Sequence, residues 1–168
     1  PEESPPDNQP AMPLADTPGF QKWGLIGLLI FFTVFTFDFM RTDLWFDELL
    51  TLGDYGTQQR LVGVFTSYEV ANNHILFSAA LWTWLRVIRF VMAEEVLRFP
   101  CLLLALITIS TLYIHGRRLF GNAAAYLLAT LLAFSPVFLS FFYQLRGYGL
   151  TIFLSLVATL GAFYIIAG

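Results

Sequence analysis

The stretch HGRRLFGN, residues 115 to 122, separates two apolar runs and decides how often the chain crosses a membrane. It holds two arginines and two glycines and no acid. Basic links between spans stay on the cytoplasmic side, so 115–122 reads as a cytoplasmic link. The flanking runs, 99–114 and 123–143, then pass inward and back outward, and a third run, 149–167, returns.

Upstream, 23–40 is apolar except for Asp38 and is flanked by Lys22 and Arg41. As a helix it is about 27 Å long, close to the hydrocarbon thickness of a bilayer. Asp38 lies near its end, where a carboxylate reaches the interface at small cost. If this first span leaves the inner side behind Lys22, all of 41–98 lies outside. Parity then forbids a crossing by NHILFSAALWTWLRVIRFVM, residues 73–92, and its Trp82, Trp84, Arg86 and Arg89 suit a helix lying in the interface. The rival count, with 73–92 spanning, puts GRRLFG outside, against the charge bias.

Composition agrees with a membrane protein: 57% of residues are hydrophobic and 12% charged, against roughly 25% charged in a soluble domain. A net charge of −3, with no basic cluster beyond Arg117-Arg118, excludes nucleic acid as a partner. The single cysteine, Cys101, excludes an internal disulfide and a thiolate metal site, and reads as a small buried hydrophobe. Without an H-x-x-x-H pair, no structural zinc site is expected. Residues 1–20 hold six prolines and four acids and read as a disordered cytoplasmic tail. Pro1 in place of Met, and an apolar run still open at Gly168, point to a piece of a longer polytopic protein.

The expected fold is therefore all-α: a polytopic helical membrane protein with about four transmembrane helices, 23–40, 99–114, 123–143 and 149–167. Its long extracytoplasmic loop, 41–98, carries the interfacial helix 73–92, and an extracytoplasmic turn covers 144–148. Two polar segments meet on the outer face, WFDELLT with NNHIL in the loop, and YQLRGYG at 143–149. Arg146 is the one base in the second segment, inside an acid-free stretch from 96 to 168. It either snorkels to lipid phosphates or binds an anionic group of a substrate, for which its planar fork is suited and Gln144 and Tyr148 add donors. Asp47 and Glu48 are neighbours, so on a helix their side chains diverge by about 100° and only one is expected to act as a working base. His74, after Asn72 and Asn73, falls at a helix start.

In this order, WFDELLT, NNHILFS, VLRFPCLLLALITISTLYIHGRRLFG and LLAFSPVFLSFFYQLRGYGL resemble the N-terminal part of a GT-C glycosyltransferase. The likeness covers about 23–168 and is nearest to bacterial relatives of the dolichyl-phosphate-mannose protein mannosyltransferases. It implies a multi-pass enzyme of the prokaryotic inner membrane with an extracytoplasmic active site. The donor would be a polyprenyl-phosphate sugar, and the acceptor a hydroxyl on protein, lipid or glycan. The resemblance makes Asp47, with Glu48 beside it, the catalytic acidic residue, and Arg146 a contact to the carrier phosphate. Gln144, Tyr148, His74 and Asn73 are the further substrate-binding candidates. The family's N-H-P-P pattern reads N-N-H-I-L here, a departure at His74. No resident cofactor is implied, and dependence on a divalent cation is left open. A second reading, from another class, is a non-catalytic polytopic scaffold or transporter subunit.

Overall fold

The computed structural model describes residues 18–66 and 74–167, with side chains over 23–66 and 74–166. Most of the expected tail, 1–17, lies outside the described residues, and Pro18–Phe20 open the first helix. The described chain is helical, without strands: α1 (Pro18–Met40), α2 (Phe46–Leu50) running into a π-turn at Thr51–Gly56, α3 (Leu61–Thr66), α4 (Ile75–Val87) and α5 (Glu94–Leu97). Then follow α6 (Phe99–Phe120), α7 (Asn122–Ala133), α8 (Pro136–Phe142) and α9 (Tyr148–Ala167). Trp23–Met40, Phe99–Phe120 and Tyr148–Ile166 are long and apolar enough to cross a membrane, and the pair α7–α8 adds a fourth crossing if it counts as one bent span.

That bend corrects the expectation of one continuous helix over 123–143. The two pieces meet at 60°. Ser135, preceding Pro136, takes the extended backbone that a following proline favours, and its Oγ accepts the Phe138 N–H at 3.5 Å. A second correction concerns 115–122, which is mostly helix. Arg117 and Arg118 sit in the last turn of α6, where cations complement the helix dipole, and the chain turns only at Gly121 with φ +84. Third, the helix expected over 73–92 is shorter. At 13 residues, α4 is too short to span, and it ends where the Phe90 N–H reaches back to the Leu85 carbonyl through left-handed Arg89 and Phe90.

Packing follows residue size. Ala125, Ala129 and Ala133 form a fully buried stripe on α7, and α7 lies against α6, whose Gly116 has the Ala125 Cβ within 3.5 Å of the place its own Cβ would occupy. Phe32 of α1 meets Phe138 and Phe142 of α8, closing the core between the long helices. A second, smaller core joins Phe77, Leu81 and Leu85 of α4 to Leu97, Cys101 and Leu145. This second core brings the loop down onto one end of the bundle. At that end lie the C-terminus of α1, the N-terminus of α6 and the turn before α9; the opposite end carries the His115–Tyr164 and Phe120–Phe163 ring contacts.

Candidate active site

Two ion pairs occupy the end where the loop meets the bundle, and they are made by consecutive residues. Glu48 turns inward and is 1% exposed, while Asp47 faces out at 56%. The roughly 100° between adjacent side chains on a helix produces this split.

Glu48 meets four donors. Its Oε1 accepts from Arg98 Nε at 3.1 Å and from the Leu145 N–H at 2.6 Å; its Oε2 accepts from Arg98 Nη2 at 2.7 Å and from the Trp45 N–H at 2.8 Å. The Trp45 bond, in which the third helical residue accepts from the N-cap N–H, fixes the start of α2, the indole having no acceptor to complete a capping box. Arg98 is fully buried and uses its remaining donors on the end of α1. Nη1 donates to the carbonyls of Phe39, Met40 and Thr42 and to Thr42 Oγ1, and Nη2 donates to the Asp43 carbonyl. The Phe39 and Met40 carbonyls end α1 and those of Thr42 and Asp43 follow it, so one guanidinium both caps α1 and neutralises Glu48. A buried carboxylate satisfied in this way holds structure and has no lone pair to offer a substrate. Arg98 was absent from the residues singled out by sequence; its position at the entry of an acid-free apolar run was the available signal.

Asp47 and Arg146 come together. Arg146 Nη1 donates to Asp47 Oδ2 at 2.7 Å, and the Arg146 guanidinium lies 4.8 Å from the ring centre of Tyr148. The Glu48–Leu145 bond sits one residue away, so the buried pair places the exposed one. Gln144 is half-buried, and its carbonyl accepts from the Arg146 N–H at 2.7 Å and from Cys101 Sγ at 3.4 Å.

His74 stands at the N-cap of α4 with its ring 5.2 Å from that of Tyr148, edge to face. Its Nε2 is buried with no partner among the described residues. A Cβ on Gly147 would collide with His74 Cβ and Cγ, so only glycine allows α4 and the turn before α9 to meet here. Burial, and then the nearby Arg146 charge, lower the His74 pKa from 6.5 and favour the neutral ring. Asn73 lies outside the described residues. Among the described residues no group of three or more His, Cys, Asp or Glu is placed to hold a metal ion.

The cluster thus offers a fixed cation, an accessible carboxylate beside it, a neutral imidazole whose Nε2 is buried without a partner among the described residues, and an aromatic face. Such a set can bind a phosphate and accept a proton next to it. No protein-family model, curated protein or solved structure matches the chain, so the functional reading rests on these residues.

Proposed function

We propose that the chain is a membrane glycosyltransferase, or the N-terminal part of one, of GT-C type. It transfers a sugar from a polyprenyl-phosphate carrier to a hydroxyl acceptor on the extracytoplasmic face. The observation that carries this reading is the 2.7 Å contact between Asp47 and Arg146 at the one end of the bundle where loop and spans converge. In the reaction the bond between the sugar's anomeric carbon and the phosphate oxygen breaks, and a bond to the acceptor oxygen forms. Arg146 stabilises the charge left on the phosphate, and Asp47 takes the acceptor's proton. Tyr148 and His74 line the sugar side, with Gln144 at the base of the turn.

The 60° break between α7 and α8 favours the second reading, a transporter subunit or scaffold, because transporters build sites at broken helices. That break consists of Phe134, Ser135 and Pro136 and has no ionisable side chain to hold a solute. The test is transfer from a polyprenyl-phosphate sugar by the full-length gene product in lipid nanodiscs. Asp47→Asn should lower the rate by about 10²–10⁴ with normal expression. Unchanged transfer by Asp47→Asn would remove Asp47 as the base, and no transfer by the unaltered protein with any such donor would favour the non-catalytic reading.

A further inference from the structure

The two side chains of the exposed pair differ in freedom. Arg146 is 10% exposed, stacked on Tyr148 and anchored through its backbone N–H, whereas Asp47 is 56% exposed at the second position of a five-residue helix. If the contact opens, Asp47 is the partner that moves. Asp47 engages only Nη1, and among the described residues Nε and Nη2 of Arg146 have no hydrogen-bond partner, which leaves a two-donor edge unused. A phosphate seated on that edge would hold its oxygens within a few ångström of the Asp47 carboxylate, and the two anions repel.

We propose that Asp47 is the resting counter-ion of Arg146 and is released by the donor's phosphate, so that seating the donor raises the share of free carboxylate. This rests on the donor-site reading above and adds an order of events to it. The displacement is easy because a half-exposed pair is weak. Solvent-exposed ion pairs contribute about 0–1 kcal/mol, whereas a two-pronged guanidinium–phosphate contact is among the stronger charge-assisted bonds. Before the donor arrives, Asp47 is shared between Arg146 and solvent; afterwards it is free to turn toward the acceptor. The favoured order is donor first, acceptor second.

The device makes a prediction opposite to that for a residue that merely helps to bind: removing the carboxylate should tighten phosphate binding. The experiment measures the affinity of a short-chain prenyl monophosphate, and of the matching prenyl alcohol, for the full-length protein in nanodiscs. Asp47→Asn and Asp47→Ala should bind the monophosphate roughly two- to fivefold more tightly than the unaltered protein, the factor set by the lost competitor, with alcohol binding unchanged. Arg146→Gln should weaken monophosphate binding and abolish the difference. Equal or weaker binding by both Asp47 variants would overturn the release mechanism. Transfer is read separately: lost transfer without tightening leaves Asp47 as base and removes the gate. Tightening with retained transfer keeps the counter-ion role and removes the base.

Discussion

Asp47 and Glu48 are joined by one peptide bond, each is paired with an arginine, and the pairs serve opposite ends. The Glu48–Arg98 pair is dry, two-pronged and surrounded by backbone donors and acceptors from the stretch 39–45 and from Leu145. The Asp47–Arg146 pair has a single hydrogen bond and is open on the carboxylate side. The first is a fixed joint and the second a contact that can be exchanged. Proximity in sequence therefore says little about shared work; the environment reached by each side chain decides it.

The comparison can be broken most severely at the buried pair. Arg98→Ala should destabilise the protein by about 3–5 kcal/mol, because Glu48 would be left charged and unpaired away from water, and thermal unfolding in detergent checks this. Glu48→Gln combined with Arg98→Met should recover part of the loss, and what stays lost reports the cap on α1. Next in size is Gly147→Ala. Forcing a methyl into the His74 ring should cost about 1–3 kcal/mol and, on the proposed function, slow transfer by displacing Arg146 next door. At the exposed pair, Asp47→Asn should change stability by no more than about 1 kcal/mol. A loss as large as that of Arg98→Ala would mean that the two pairs are one structural unit.

The finest contrast is one of pH. His74 is held below its ordinary 6.5 by burial and by Arg146, so the unfolded chain takes up the proton first as the pH falls. Its contribution to stability is complete above about 6.5 and is lost as the pH drops toward the folded value. His74→Gln should flatten the acid side of the stability profile, measured by thermal unfolding from about pH 7 to 5. An unchanged slope would show that the ring is not held neutral.

Apolar length is written directly in the chain, and Trp23–Met40, Phe99–Phe120 and Tyr148–Ile166 are long and apolar enough to cross a membrane. The break at Ser135 was less visible, since the surrounding apolar run is long enough to read as one helix and Pro136 alone signals the interruption. The extension of α6 through Arg117 and Arg118 was hidden by treating charge as loop, although a helix end accommodates it. In the site, the meeting of Asp47 and Arg146 could be anticipated from the span count, which assigns the 41–98 loop and the turn before α9 to one end of the bundle. The inward turn of Glu48 could not, because its cause is Arg98, fifty positions away in the chain.

Arg98 also has a consequence for biogenesis. Ribosomal synthesis delivers α1, the loop and Arg98 well before Leu145, so the guanidinium can close over the end of α1 and claim Glu48 while the later helices are still unmade. The Leu145 N–H then finds a carboxylate already oriented to receive it. Nascent-chain order would thus make the first half a template, onto which the turn bearing Arg146 docks afterwards.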